Sequence, residues 1–436
     1  MHSLQLTPAE AEQLLSHTGY TSLAELNIRL HELSVLARHA IDNQHWAEAK
    51  EAIQQVLNLK PDHIIALNDQ VYIHMQLGLY DQAYQQCADL LAKHPNFIAG
   101  RDSMVTLCDK MNRFEEALYH AKHSMALKIR SVADYPHHPL PASPPPGISR
   151  DKTRNIISYS LFGQQPRYGE VAVLNAQLAQ TIYPDWTCRF YLDNTVPHHT
   201  VQRLEKFGAQ IHMMPTGTSR YAGLFWRFLV MGDPNVDCFM IRDADSLLSY
   251  KEQAAVQAWL ASGKWFHLMR DAIGHNELIL AGMWGGYTGT IPHIAATIQA
   301  YLDTLSLQNR CIDQDFLRHA IYPTVAQSML VHDNRNLDGS SQPFPDYALS
   351  DIEKIPFFHI GMIDASGSLV TNFTSADLQA TRIRWYLIDE NKDIVCQYET
   401  PVPSSGNIQV NLPYFYTLNI QQGKWQIFTE TLEIKE

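Results

Sequence analysis

A repeat with a period of 34 residues runs through the first third of the chain. An aromatic residue, a following alanine and a proline all recur with this spacing. The repeated positions are Trp46, Tyr80 and Phe114 for the aromatic residue, Ala49, Ala83 and Ala117 for the alanine, and Pro61 and Pro95 for the proline. A unit of this length cannot bury its apolar face alone, so neighbouring units must stack. The pattern therefore predicts an all-α solenoid over residues 1–130.

The three copies of the motif resemble the tetratricopeptide repeat, in which each unit is a pair of helices. They read His45-Trp-Ala-Glu-Ala, Leu79-Tyr-Asp-Gln-Ala and Arg113-Phe-Glu-Glu-Ala. Residues 4–42 are also predicted to be helical, with a start signal at Thr7-Pro-Ala-Glu, and are expected to cap the array. Such a solenoid can offer a concave surface to a peptide or partner protein. The alternatives are a dimerisation arm, which would make the chain a homo-oligomer, and a rigid spacer.

Composition and charge exclude several classes of protein. A chain of 436 residues with 45% hydrophobic and 18% charged residues is typical of a globular protein with two or three domains. The formal charge of −12 argues against a nucleic-acid partner. No apolar run is long enough for a membrane span, and the first residues lack signal-peptide features. Six scattered cysteines without metal-type spacing predict reduced thiols and a cytoplasmic location.

A proline-rich stretch marks the end of the solenoid. Six prolines between Tyr135 and Gly147 forbid a helix and favour an extended connector. We therefore expect a linker over residues 131–152, an α/β domain over 153–365 and a small module over 369–436. The last part shows strands of period two and is predicted to be an antiparallel, sandwich-like β module. It could bind glycan or cover an edge of the preceding domain.

Strands alternate with helices from Asn155 onwards, which predicts a mainly parallel sheet covered by helices. Ligands bind such sheets at the carboxyl ends of the strands. The first strand ends near Ser160, Phe162 and Gly163, and the second ends at Asp193. These four residues are candidates for binding the base and ribose of a nucleotide.

Two aspartates follow a short apolar strand in the middle of this domain. The stretch Cys238-Phe-Met-Ile-Arg-Asp-Ala-Asp brings Asp243 and Asp245 to the point where the strand ends. Two carboxylates there could bind one Mn²⁺ or Mg²⁺ ion, which would neutralise a diphosphate. Arg227 lies in an otherwise apolar segment and needs a partner, either the diphosphate or the aspartates. The plainer alternative is a turn with two solvated aspartates.

Several of these features in this order resemble the GT-A glycosyltransferases, with their Asp-X-Asp (DXD) motif and, in part, the retaining family-8 enzymes. After the aspartates come Leu280-Ala-Gly-Met-Trp-Gly-Gly and Cys311-Ile-Asp-Gln-Asp. The resemblance implies that Gly285 and Gly286 let backbone approach the sugar. It further implies that Asp313 binds hydroxyl groups of the donor sugar and that Gln314 lies beneath the anomeric carbon.

The same resemblance implies a histidine as third metal ligand. Two positions fit this role. His332 ends a predicted strand and is slightly favoured, and His359 is the alternative because a glycine follows it in the pattern His-X-Gly. Arg270, Asp271 and His275 would line the acceptor side of the cleft, or they form a solvated turn.

The leading hypothesis is a metal-dependent glycosyltransferase. It would transfer a sugar from a nucleoside-diphosphate sugar, with a UDP-sugar favoured, to a protein or glycan acceptor, with retention of configuration. One alternative is a non-catalytic scaffold in which the transferase-like domain is a relic. A less favoured one is a phosphohydrolase like the haloacid dehalogenases, in which Asp243 would attack phosphorus.

Overall fold

The computed structural model of the chain describes residues 5–16, 19–216, 221–304, 312–354, 358–364, 371–374, 382–403 and 405–432. Three parts follow one another along the chain. They are a helical region, a domain built on a mixed α/β sheet, and a region of small antiparallel sheets, so the expected multidomain layout is confirmed at this level. None of the described helices combines the length and the apolar character that crossing a membrane requires.

The helical region has the predicted repeat. Its helices are α1 (Pro8–Leu15), α2 (Leu23–Asp42), α3 (Trp46–Leu59), α4 (Ile64–Gln76), α5 (Tyr80–Lys93), α6 (Ile98–Lys110) and α7 (Phe114–Ser131). The repeated aromatic residue is the first residue of α3, α5 and α7, and the repeated alanine is fully buried in each of them. Thr7 caps α1 in a reciprocal arrangement with Glu10, as its sequence predicts.

The α/β domain contains a seven-stranded sheet within the described residues. Its strands are β1 (Asn155–Leu161), β2 (Thr187–Leu192), β3 (Gln210–Met213), β4 (Cys238–Arg242), β5 (Phe266–Arg270), β6 (Met283–Tyr287) and β7 (Met329–Asp333). They lie in the order β3-β2-β1-β4-β6-β5-β7. Strand β6 runs antiparallel to both of its neighbours, β4 and β5, whereas the remaining pairs are parallel.

Helices and helical turns connect these strands. They are α8 (Pro166–Ile182), α9 (His198–Lys206), α10 (Ala222–Phe225), α11 (Tyr250–Ala261), α12 (Ile294–Asp303), α13 (Ile312–Phe316) and α14 (Tyr322–Val325). Short 3₁₀ segments cover Lys152–Arg154, Trp226–Gly232 and Asp351–Lys354, and a π-helical turn covers Leu317–Ile321. Arg227, in the apolar segment before β4, lies on the 3₁₀ segment that continues α10.

The helical region packs directly against the α/β domain. Val105, Ala121 and Met125 belong to the same buried cluster as the strands of the sheet. Lys128 of α7 is buried and donates a 2.6 Å hydrogen bond to the carbonyl of Asn276 in the loop after β5. The proline-rich stretch between the two parts has no helix, as predicted, and its His138 backbone bonds to Thr324 and Gln327 of the sheet domain.

The C-terminal module consists of β8 (Thr371–Thr374), β9 (Arg382–Ile388), β10 (Ile394–Pro401), β11 (Asn407–Val410), α15 (Tyr414–Gln421) and β12 (Gln426–Thr431). One antiparallel sheet has the order β10-β9-β12, and the other pairs β11 with β8. Side chains of both sheets and of α15 share one buried cluster, so the arrangement is sandwich-like with an additional helix that the sequence pattern did not predict. The module contacts α8 and α9, where Tyr398 donates a 2.7 Å hydrogen bond to buried Glu170.

Candidate functional site

The direction in which the sheet grows changes between β1 and β4. From β1 the chain adds β2 and β3 on one side, and it then returns to place β4 on the other side of β1. In open α/β sheets a ligand crevice lies at such a switch point, outside the carboxyl ends of the strands. Here those ends are occupied by residues 162–163 after β1 and by residues 243–245 after β4. The predicted nucleotide residues and the predicted metal residues therefore meet at one edge of the sheet.

Each aspartate of the pair contacts a different arginine. Arg227 Nη1 donates to Asp243 Oδ1, and Arg167 Nη2 donates to Asp245 Oδ2 at 2.5 Å. The side chain of Asp245 is only 12% exposed, whereas that of Asp243 is 39% exposed. Asp243 is therefore partly accessible at the edge of the sheet, whereas Asp245 lies largely beneath the surface. This geometry does not fit a turn with two solvated aspartates.

Arg227 bridges the aspartate pair and α13. Its Nη2 atom donates a 3.0 Å hydrogen bond to Asp313 Oδ2. Both sides of its backbone are fixed by β1, because Ser158 Oγ donates to the Arg227 carbonyl at 2.8 Å and Ser160 Oγ accepts from the Arg227 N–H at 2.9 Å. Ser160, which we expected to contact a nucleotide, thus positions an arginine of the site.

The carboxylates of the site influence one another. Burial, and next the negative charge of Asp243, raises the pKa of Asp245, while Arg167 opposes this. Burial also raises the pKa of Asp313, which Arg227 lowers and Asp243 raises further. Burial and the charge of Asp243 therefore disfavour the ionised forms of Asp245 and Asp313, and one guanidinium group favours each of them, Arg167 for Asp245 and Arg227 for Asp313.

Several buried donors at this site find no acceptor among the described residues. They are Arg167 Nε, Arg227 Nε and the hydroxyl of Ser246, which directly follows Asp245. An unsatisfied buried donor is unfavourable by about 1–3 kcal/mol, and more when the group is charged. Such groups in a native structure call for a partner. All three groups belong to residues that contact or directly follow one of the two aspartates.

Gly282 allows the strand β6 to approach the aspartates. A side chain at this position would overlap the carboxylate of Asp243. Gly285 and Gly286 were expected to let backbone approach the sugar, but they do not form a loop. Both lie inside β6, where an added Cβ would come 2.6 Å from the Phe239 carbonyl at Gly285 and 2.5 Å from the Phe266 ring at Gly286. They are needed for close packing within the sheet.

The structure separates the two candidate histidine ligands. His332 lies on β7, which is three strand spacings or about 14 Å from β4. Its Nδ1 atom is 2.8 Å from His267 Nε2, so it pairs inside the sheet domain and not with the aspartates. The preference for His332 is therefore not supported by the geometry, since sheet order could not be deduced from the sequence alone.

His359 is brought towards the aspartate pair. The segment that contains it runs beside Asp245 and Ser246, because the N–H of Asp364 donates to the Asp245 carbonyl at 2.8 Å and Ile363 bridges to Ser246. Gly361 makes this possible, since its φ is +81° and a Cβ there would come 2.5 Å from Met283 Sδ.

His275 lies next to His359 and within electrostatic reach of Asp243. Its ring centroid is 5.3 Å from that of His359, and the charge of Asp243 acts on it. Burial lowers the pKa of His275 to about 3, so the ring is neutral near pH 7. Its Nδ1 accepts backbone N–H groups of Asp271 and Ala272 at 3.0 and 3.2 Å, so the proton of the neutral ring is on Nε2.

Arg270 and Asp271 are structural parts of the expected acceptor side. Arg270 is buried and pairs with Asp338 at 2.8 Å, so it does not face the crevice. Asp271 pairs with Lys251 at 2.6 Å and accepts the N–H of Ile360 at 2.8 Å. Asp271 therefore holds the segment of His359 in place.

The loops after β1 and β2 are joined to each other. Gly163, with a φ of +83°, donates its N–H to Thr195 Oγ1 at 2.7 Å, and Thr195 in turn bonds to the carboxylate of Asp193. Phe162 is 39% exposed and packs edge-on against Trp226. Asp193 is buried and builds the loop, while Phe162, just after β1, stays exposed.

The donor atoms of the site suit a divalent cation that is shared with phosphate. Carboxylate oxygens are the ligands that Mg²⁺ and Mn²⁺ prefer. Within the described part of the chain, no group of three or more His, Cys, Asp or Glu side chains lies close enough together to hold a metal ion alone. Mg²⁺ commonly takes only one or two carboxylates from a protein and completes its shell with water and substrate phosphates. The residues present fit that mode.

Sequence reasoning missed two residues of the site, Arg167 and Gly282. Arg167 lies 78 positions before Asp245, in the first turn of α8, and no motif links the two. The sequence signal that could have indicated Arg167 was its position shortly after β1, at the edge of the sheet where the strands have their carboxyl ends. Gly282 belongs to the stretch Leu280-Ala-Gly-Met-Trp-Gly-Gly. The sequence does not tell which of its three glycines approaches the aspartates, because this depends on where β6 begins.

No protein-family model matches the chain, and no curated protein matches it either. The TPR2B domain of yeast Sti1, solved as a pHsp70 complex, shows 14% identity and a TM-score of 0.23 over 24% of this chain and 82% of that one. An O-GlcNAc transferase mutant of Thermobaculum terrenum shows 15% identity and a TM-score of 0.27 over 44% of this chain and 42% of that one. A 4-diphosphocytidyl-2C-methyl-D-erythritol synthase of Anaerococcus prevotii shows 11% identity and a TM-score of 0.26 over 42% of this chain and 90% of that one. At such TM-scores these likenesses carry no argument about this chain.

Proposed function

We propose that the chain is a glycosyltransferase of the GT-A type that uses a nucleoside-diphosphate sugar and a divalent cation, Mn²⁺ or Mg²⁺. The observation that carries the proposal is the convergence of Asp243, Asp245 and Asp313 with Arg167 and Arg227 at the switch point of the sheet. The unsatisfied guanidinium Nε atoms support an anionic ligand there. A UDP-sugar is the favoured donor.

The arginines have the role of binding and orienting the diphosphate. Arg167 and Arg227 each keep an N–H group without an acceptor among the described residues, and guanidinium groups bind phosphate oxygens in a defined orientation. Asp243 and Asp245 would hold the cation, with His359 as the candidate for a further ligand. When bound, such a cation stabilises negative charge that develops on the leaving diphosphate.

Asp313 and Gln314 are proposed to face the donor sugar. Asp313 is buried, yet each of its oxygens accepts only one described hydrogen bond, one from Arg227 and one from the N–H of Gln314. A carboxylate can accept about four, so capacity remains for sugar hydroxyl groups. Gln314 is partly exposed beside it. Retention of configuration at the anomeric carbon is the proposed outcome.

The acceptor is proposed to be a protein or a glycan. The loop after β5 carries His275, on which the charge of Asp243 acts, and Asn276, whose carbonyl accepts a hydrogen bond from Lys128 of α7. A peptide or protein held on the helical region would therefore lie next to the acceptor side of the crevice. A homo-oligomer formed through the helical region is the alternative use of that surface.

The first experiment measures thermal unfolding of the full chain with UDP, GDP, CDP and dTDP, each with and without Mn²⁺. A ligand that binds only the native state raises the unfolding temperature, by an amount set by its concentration relative to Kd. We expect a Mn²⁺-dependent rise with at least one nucleotide. Asp245→Asn should abolish the rise, whereas Asp185→Asn, which changes an exposed aspartate before β2, should keep it.

Absence of a rise with every nucleotide would contradict the proposal and favour the scaffold alternative, in which only the helical region acts. If binding is found, NMR of the product with a donor sugar then tests retention, and an inverted product would overturn that part. The phosphohydrolase alternative gains no support, because its nucleophile should follow the first strand of its domain, whereas Asp243 follows β4.

A further inference from the structure

A cavity of about 520 Å³ lies between the loop after β2 and the C-terminal module. The α/β domain contributes Asn194, Pro197 and Met213 to its wall. The module contributes Arg384 of β9 and Gln397 and Glu399 of β10. Ligand pockets for small molecules commonly have 300–1,000 Å³, so a nucleoside would fit this space.

The cavity is on the same edge of the sheet as the aspartates. It opens at the carboxyl end of β2, and β2 is two strand spacings, or about 10 Å, from β4. An extended nucleoside diphosphate separates its base from its terminal phosphate by a comparable distance. A diphosphate at Arg167 and Arg227 would therefore direct its nucleoside towards this cavity.

The module's wall has the chemistry to distinguish one base from another. Gln397 and Glu399 are two positions apart on β10 and so project on one face, where Glu399 is opposite Arg384 and pairs with it at 2.7 Å. The amide of Gln397 both donates and accepts hydrogen bonds, as does the edge of a nucleobase. Pro197 and Met213 offer apolar surface for the face of the base.

This wall is fixed to the α/β domain. Buried Glu170 of α8 accepts two 2.8 Å hydrogen bonds from Arg203 of α9 and one of 2.7 Å from Tyr398 of β10. Tyr398 lies between Gln397 and Glu399 in sequence and points to the opposite face. A buried charged network of this kind holds the strand in one position relative to the sheet.

We propose that the C-terminal module completes the nucleoside pocket of the donor site, and that Gln397, with Arg384 and Glu399, selects the base. The inference rests on the proposed function, because it assumes a nucleoside diphosphate at the aspartate pair. It assigns the module a direct part in donor choice, beyond covering an edge of the domain.

The test compares binding of UDP, GDP, CDP and dTDP with that of pyrophosphate, all with Mn²⁺, by calorimetry on the full chain. The variants are Gln397→Ala and Glu399→Gln, and the control is Gln426→Ala, an exposed glutamine of β12 outside the cavity. We expect Gln397→Ala to raise Kd for the preferred nucleotide roughly three- to tenfold, as expected for one lost hydrogen bond. Pyrophosphate binding and the unfolding temperature should not change.

Two outcomes would overturn the inference while the proposed function stands. One is an unchanged Kd and base preference in both variants when the wild type binds nucleotide. The other is equal affinity of the wild type for pyrophosphate and every nucleotide, because the base would then contribute nothing. If the wild type binds neither nucleotide nor pyrophosphate, the proposed function itself fails.

Discussion

Arg227 and Asp313 form a buried ion pair with 3.0 Å between Nη2 and Oδ2, although 86 positions separate them in sequence. The contact ties the 3₁₀ segment before β4 to α13. Because Arg227 also reaches Asp243, one guanidinium group fixes the relative positions of two carboxylates that the proposed reaction uses. The stability of the site and its activity should therefore depend on the planar fork of an arginine.

Arg227→Lys keeps the positive charge but removes the fork. A lysine ammonium cannot satisfy two carboxylates with the same geometry, so we expect a loss of about 1.5–3 kcal/mol in the free energy of unfolding. Mn²⁺-dependent nucleotide binding should weaken at least tenfold. Urea unfolding and calorimetry measure the two effects.

The matched control for this variant lies at the opposite ends of the same strands. Arg154, just before β1, pairs with Asp237, just before β4, at 2.6 and 2.7 Å. This pair is partly exposed, and Arg154→Lys should leave nucleotide binding unchanged. Equal losses of binding in both variants would mean that Arg227 acts only through the stability of the sheet.

Arg167→Met should move the pH dependence of Mn²⁺ binding. The cation needs ionised carboxylates. Since the pKa of Asp245 is raised by burial and by Asp243, binding should be lost as the pH falls through that raised value, above the ordinary 3.8. Arg167 lowers the pKa of Asp245, so its removal should shift the acid limb to higher pH. The Mn²⁺ concentration at half-saturation is measured from about pH 4.5 to 7.5 for both proteins. If binding is lost at the same pH in Arg167→Met and in the wild type, Arg167 does not lower the pKa of Asp245.

The sequence predicted the parts of the molecule that depend on local periodicity. The 34-residue repeat predicted the helical region, and the apolar run before Asp243 predicted β4. It could not predict contacts that depend on the order of strands. Arg167 meets Asp245 only because β1 and β4 are neighbours, and His332 is remote from β4 only because β6 and β5 lie between them. Glycines inside β6 have the same sequence pattern as a loop, and only packing against Phe239 and Phe266 distinguishes the two.

Substitution of His359 and of His332 by alanine should have different effects on Mn²⁺ binding. His359→Ala is expected to raise the Mn²⁺ concentration needed for nucleotide binding, because its segment runs beside Asp245. His332→Ala should leave that midpoint unchanged. It should instead lower the free energy of unfolding by about 1–3 kcal/mol, because it leaves buried His267 without its partner. Titration with Mn²⁺ at saturating nucleotide measures the first effect. A change of midpoint with His332→Ala alone would restore the original assignment.

Asp364 should make the stability of the chain depend on pH in a direction opposite to most aspartates. It is buried, its N–H donates to the Asp245 carbonyl, and its Oδ2 accepts the Tyr414 N–H of the C-terminal module at 2.9 Å. Burial raises its pKa from 3.8 to about 6. A raised pKa means that the folded state holds the proton more tightly than the unfolded state does. The resulting stabilisation is complete below about pH 3.8 and is lost as the pH rises through about 6.

Asp364→Asn imitates the protonated carboxyl and still offers an acceptor to Tyr414. Two pKa units correspond to about 3 kcal/mol. The variant should therefore gain up to about 3 kcal/mol of stability over the wild type between about pH 4 and pH 7, measured as free energies of unfolding in urea. Asp185→Asn, at an exposed aspartate, should follow the wild type at every pH. Parallel curves for wild type and Asp364→Asn would show that the pKa of Asp364 is the same in the folded and the unfolded state, which would contradict its raised pKa.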